Sequence, residues 1–224
     1  MMKSQITIKE IQDLLIKGVQ TIHVDDGTSR RMWWASLEVI QKDFLSQNYQ
    51  QGGIWVSSPL PALNDKKFFN QLHGWLWSPE GFPYFQKDNA GFLPVNQETK
   101  IKKDFDFISN YKVLNLSQKD GYEPFLMIIT PNFQCVLTIA GEKDKKVLLM
   151  KCDEESLKIS IELMHAKLNQ ENCEEGVKFR NAINNLGSLN INDQFERIFW
   201  PTLSVKLAKL ESNHNIHSLS LIHI

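Results

Sequence analysis

Few residues in this sequence could do chemistry, and they are scattered. Arg30 and Arg31 stand side by side at the expected start of a helix. Two guanidinium forks beside free backbone amides can hold a phosphate or a carboxylate. Cations at that end also oppose the helix dipole, so a solvated pair is the competing reading. Trp55, Trp75 and Trp77, with Phe82, Tyr84 and Phe85, crowd the middle of the chain. They could wall an apolar ligand pocket. Aromatic residues on strands more often pack a core, and that reading is favoured.

Cys135, Cys152 and Cys173 show no CxxC spacing. The first two fall on strands expected to be neighbours, so a redox pair is conceivable, but buried inert thiols are commoner. His23, His73, His165, His214, His217 and His223 do not cluster with the cysteines at metal-ligand spacing, so no metal is expected. Asp25–Asp26 and Glu174–Glu175 are adjacent acids that a solvated turn and a helix start account for. There is no GxxxxGK[ST] loop and no recognisable nucleophile–base pair, so neither catalysis nor a cofactor is expected of this chain itself.

The elements that must carry these residues can be read from periodicity. The chain has 224 residues, 42% of them hydrophobic and 23% charged, with a formal net charge of -1. That is enough to bury a substantial core, and it implies neither disorder nor general affinity for nucleic acid. No run approaches a membrane span, and the start lacks the features of a signal peptide. A cytoplasmic protein is the expectation.

Thr7 and Glu10 make a capping box before a helix with an apolar stripe at Ile8, Ile11, Leu14 and Leu15. A second helix is expected over 29–47, with "TIHVDDG" before it as a short extended turn. Next come a strand at "GGIWVSSPLPAL", a short helix, a strand at Trp75 to Trp77, and a Gly/Pro/aromatic loop. "PFLMIIT", "FQCVLTIAG" and "KKVLLMKC" read as a three-stranded antiparallel meander buried on both faces. Phe125, Met127 and Ile129, with Val136, Leu148 and Met150, should line its two faces. Three helices follow, the last kinked at Pro201. The fold class is α+β: an antiparallel sheet flanked by N- and C-terminal helices, rather than a parallel βαβ fold.

At "GIWVSSPLPAL", with "RRMWWASLEVIQKDFL" upstream and "GWLWSPEG" downstream, the chain resembles a known group. Further matching stretches run from Glu123 to Pro131 and from Leu149 to Asp153, and over "LGSLNINDQFERIFWPTLSVKLAKL". The likeness is to the N-terminal sensory region of soluble, marine picocyanobacterial sensor histidine kinases, and more loosely to DICT-type sensory domains. It covers about Ile8 to Leu210. It implies a sensory domain over 1–190 and a signalling helix over 191–213 leading to a kinase core. The parent would use ATP and Mg, act as a homodimer and phosphorylate a response regulator. No nucleic-acid or membrane partner is implied. His165, in "LMHAKL", lacks the neighbours of a phosphoacceptor.

The final "LSLIHI", residues 219–224, matches what CTG TCT CTT ATA CAC ATC, a transposon adaptor end used in sequencing libraries, would encode; a genuine short apolar tail is the competing reading. The hexapeptide is expected to be an artefact on a truncated chain. On this reading the chain binds and couples without chemistry. Arg30, Arg31, Trp55, Trp75, Trp77 and Tyr84 are the candidate ligand residues. In the last helix Ile198 and Phe199 should dock on the domain, while Leu203, Leu207 and Leu210 form an exposed coupling seam; the competing reading is that Phe195, Ile198, Phe199, Leu203, Leu207 and Leu210 all pack back on their own domain. The alternatives are a protein-interaction domain without a small ligand and a stand-alone enzyme of unknown type.

Overall fold

The computed structural model describes residues 5–19, 22–46, 52–63, 68, 71–80, 111–187 and 194–220, the last ten of these as backbone alone. Helix α1, Ile8–Ile16, begins at the expected capping box: Thr7 accepts from the Glu10 amide and Glu10 accepts from the Thr7 amide. Ile8, Ile11 and Leu15 are buried, whereas Leu14 turns outward. Helix α2, Asp26–Val39, is capped by Asp25 and widens into a π-helical turn over Ile40–Leu45. Val24, in the expected extended turn, makes an antiparallel bridge to Lys146.

Six strands form one sheet: β1 Gly53–Ser58, β2 Leu72–Ser78, β3 Tyr111–Asn115, β4 Phe125–Ile129, β5 Gln134–Glu142 and β6 Lys145–Lys151. Their order is β3-β2-β1-β4-β5-β6. The β4–β5–β6 meander is antiparallel, as its turn sequences dictate. The fold is α+β, but its sheet is mixed: β1 pairs parallel with β2, and β2 parallel with β3. The parallel half escapes a periodicity reading because direction depends on where the connection runs. Among the described residues between β1 and β2, Ala62, Leu63 and Phe68 pack into the core of one face.

Helix α3, Glu154–Glu171, is capped by Asp153, and α4, Cys173–Asn185, by Asn172. Helix α5, Gln194–Ser220, continues through Pro201. The helices divide between the two faces of the sheet. Helices α2 and α5 cover Trp55, Leu76, Leu126, Ile128, Cys135, Leu137, Leu148 and Met150. Helices α1, α3 and α4 cover Ile54, Val56, Trp75, Trp77, Phe125, Met127, Ile129 and Val136. The meander residues therefore line two covered faces, as their double apolar parity requires.

Candidate functional site

The three tryptophans lie on strands, and strand parity separates them. Trp55 is directly opposite Gly74, one residue before Trp75. Trp55 is therefore on the α2/α5 face, while Trp75 and Trp77 are on the α1/α3/α4 face. A Cβ on Gly74 would lie 2.3–2.5 Å from the Trp55 ring, so the indole lies over bare backbone there. The sheet stands between Trp55 and the other two, and the expected common wall is not formed. All three are buried, in agreement with the core reading of strand aromatics. Tyr84, Phe82 and Phe85 lie outside the described residues.

Trp75 and Trp77 do lead to a buried polar cluster. The Trp75 indole donates to Glu175 Oε2 at 2.9 Å, and the Trp77 indole to Glu171 Oε2 at 2.7 Å. Both acceptors sit on the α3–α4 corner. Lys167, one turn before Glu171, has its Nζ 2.7 Å from Glu171 Oε1 and 2.7 Å from Asp120 Oδ1. It also lies 5.5 Å from the centre of the Trp77 ring. Lys167 and Asp120 side chains are each 1% exposed. Asp120 belongs to a 3-10 turn, Gln118–Asp120, and also accepts from the amides of Ile8 and Ser117. Thus one carboxylate ties the start of α1, the turn after β3, and α3.

The cluster fixes structure. The ammonium of Lys167 is buried and committed to two carboxylates, with a longer 3.5 Å contact to the Ile6 carbonyl. An amine so engaged is not presented as a nucleophile or base. Among the described residues no group of His, Cys, Asp and Glu is arranged to hold a metal. Glu174 and Glu175 stand in the first turn of α4, as the helix-start reading expected, and Glu175 is in addition 7% exposed, because its carboxylate meets an indole that strand β2 points into the core.

Arg30 and Arg31 do not converge on an open anion site. Arg30 Nε donates to Asp26 at 2.9 Å, and Arg31 donates to Thr28 at 2.9 Å. The N-cap acceptor is Asp25, whose carboxyl is held below its usual range by hydrogen bonds from Thr28, side chain first and amide second. The first turn thus supplies its own anions.

The last helix also departs from expectation. Phe199 and Leu203 are buried, and Phe195 and Leu207 pack against the same core. The docked stripe recurs every four residues, so Leu203 and Leu207 are taken by their own domain. Leu210 is 44% exposed, and Ile198, expected to dock, is 52% exposed. Phe195 lies 5.4 Å from Phe44, and Lys206 pairs with Glu38, so α5 runs antiparallel to α2. An exposed seam of Leu203, Leu207 and Leu210 is therefore not present.

Cys135 and Cys152 are buried on the α2/α5 face and are not joined in a disulfide. Burial, reinforced by Cys152, pushes the Cys135 thiol well up, away from the reactive thiolate. On the other side His165 stacks near Phe179 and lies between Arg180 and Asn169 at the α3–α4 contact.

What the fold and these contacts define is a three-layer domain, helices on both faces of a mixed six-stranded sheet, with an ionic clasp on one face and an aromatic seat for the last helix on the other. A family model described as "Domain of unknown function (DUF8628)" matches residues 9–212, and the chain belongs to that family. No curated protein and no solved structure matches it. Among the described residues no helix is long and apolar enough to cross a membrane.

Proposed function

We propose that this chain is the sensory or regulatory input region of a two-component histidine kinase. It acts in the cytoplasm, receives a signal, and passes it through α5 to a kinase core that uses ATP and Mg. The parent protein is a homodimer that phosphorylates a response regulator. The observation that supports coupling through α5 is its packing. One side of the helix is seated in the domain core through Phe195, Phe199, Leu203 and Leu207, and the other side carries exposed Ile198 and Val205. A helix that touches both the core and the surroundings can report a change in one to the other.

A second reading is a protein-interaction domain without a small-molecule ligand. It is favoured by the tryptophans, which are used up in packing and in bonds to Glu171 and Glu175. The deciding experiment is to read the parent locus beyond the codon for Leu210. A frame that continues into a phosphoacceptor helix and an ATP-binding domain is the expected result. A different downstream domain, or a stop codon soon after this helix in independent isolates, overturns the kinase reading. The chain itself should incorporate no label from ATP with Mg. Incorporation that survives substitution of every histidine would count against the assignment.

A further inference from the structure

Cys135 and Cys152 are closer to one another than their separation in the sequence suggests. The register of β5 and β6 pairs Val136 with Lys151, so the next residues along, Cys135 and Cys152, stand directly opposite. Both side chains lie on the α2/α5 face. The hydrogen bonds tell which kind of pair this is. Lys146 uses its amide and its carbonyl on Val24, away from β5. Direction alternates along a strand, so Cys152 also turns its backbone away from β5, and its amide donates to Glu196 Oε1 at 3.1 Å. Cys135 and Cys152 are therefore a non-hydrogen-bonded pair. In such pairs the Cα atoms are about 4.5 Å apart, within the roughly 4.4–6.8 Å that a disulfide spans. Cys152 is also near enough to add to the upward push on the Cys135 thiol.

We infer that Cys135 and Cys152 form a reversible redox switch, closed to a cross-strand disulfide by peroxide and guarded by α5. The Cys152 sulfur, at the end of β6, attacks one oxygen of hydrogen peroxide; the O–O bond breaks, water leaves and a sulfenic acid remains. The Cys135 sulfur then attacks the Cys152 sulfur and expels the sulfenic oxygen as a second water. Each sulfur gives up one electron, the peroxide takes both, and the two thiol protons end in the waters. The pair is 0% and 2% exposed beneath the seat of α5, so oxidant reaches it when that helix lifts. Coupling runs the other way as well. Drawing Cys152 toward Cys135 pulls its amide from Glu196, which stands in the first turn of α5. In a reducing compartment such a bond is transient, which suits a switch and not a staple. The inference holds whatever domain follows α5, so it stands or falls apart from the kinase reading.

The test uses the chain with Cys173→Ser, which removes the exposed third thiol. It is treated with hydrogen peroxide under native conditions, quenched, unfolded and blocked with N-ethylmaleimide for mass spectrometry. The expected product has lost two hydrogens, takes up no maleimide, yields a linked peptide pair containing Cys135 and Cys152, and reverts with dithiothreitol. Retention of two blockable thiols overturns the inference, as does oxygen added to either sulfur without a link. The guard is tested by rate. Leu203→Ala, which loosens α5, should speed the reaction at least about fivefold. Leu168→Ala is the control, because it removes a buried side chain from the opposite face. Equal acceleration by both variants would mean that oxidation follows global unfolding, and it overturns the guard. The return coupling is read by hydrogen exchange: amides over 195–207 should exchange faster in the disulfide form. Unchanged exchange there would make the bond a passive link and overturn the switch.

Discussion

The two faces of the sheet are closed by different physics. On the α2/α5 face the contacts are aromatic and aliphatic: Phe44 stacks on Phe133 at 5.2 Å, and Phe195 meets both rings edge-on. On the α1/α3/α4 face a comparable apolar layer is interrupted by buried charge, with Lys167 between Asp120 and Glu171. Apolar packing tolerates repacking if volume is kept. A buried ion pair does not, because every member left without its partner retains a desolvated charge. The polar face also engages Gln12, whose amide donates to Thr138 Oγ1 at 2.8 Å and reaches the carbonyls of Glu123, Pro124 and Ile139. So the α1/α3/α4 face is specified by partners and the α2/α5 face by shape.

The sharpest test of that contrast is to remove one charge. Lys167→Ala should cost about 3–5 kcal/mol in urea unfolding, because Asp120 stays buried with an unpaired charge. Lys167→Met with Asp120→Asn should recover part of the loss by removing both charges together. Recovery near zero would mean the clasp matters through Trp77 and the α1 amide rather than through charge. On the other face Leu203→Ala should cost about 3 kcal/mol as a cavity mutation. Leu210→Ala, half exposed on the same helix, should stay within about 0.5 kcal/mol. Equal losses at the two positions would show that the helix beyond Leu207 is more deeply engaged than its exposure indicates. Trp77→Phe comes next: it keeps the ring but deprives Glu171 of a donor, for about 1–2 kcal/mol.

How much of this was legible in the sequence differs between the faces in the same way. The capping box at Thr7, the meander and the two-sided burial of its strands follow from local pattern, and these were readable. The α2/α5 stripe was readable only as a set of candidates: Phe195, Ile198, Phe199, Leu203, Leu207 and Leu210 all fit helical spacing. Which of them dock depends on where α2 lies, a tertiary fact. The clasp was nearly invisible. Lys167 and Glu171 are four apart and form a recognisable helical pair, but Asp120 lies 47 residues away, in a short turn after an edge strand, "YKVLN", of only five residues. Glu175 was readable as a helix-start acid, but not as the acceptor of a buried indole, because its partner, Trp75, is 100 residues distant. Long-range partners decide the meaning of a charge, and local sequence does not name them.

The smallest expected effect concerns pH and lies at the α3–α4 contact on the polar face. Arg180 donates to Glu162 in two 2.9 Å bonds and to His165 Nδ1 at 3.0 Å. A guanidinium only donates, so Nδ1 must accept and the imidazole is neutral. Burial first, and the Arg180 charge second, hold the His165 pKa below its ordinary value of 6.5. Glu162 is held below its usual carboxylate range, chiefly by the Arg180 hydrogen bond. For His165 the unfolded chain takes up a proton at higher pH than the folded one, so its stability is full above about 6.5 and falls as acid is added. For Glu162 the contribution is present above about 4.3 and is lost on further acidification. Both terms run the same way in separate windows. His165→Phe should therefore flatten the loss of thermal stability between about pH 7 and 5.5 while leaving the loss below about pH 4.5 in place. A wild-type thermal midpoint that rises on going from about pH 7 to 5.5 would reverse the sign. It would mean that the Glu162 carboxylate, rather than burial and Arg180, dominates the imidazole.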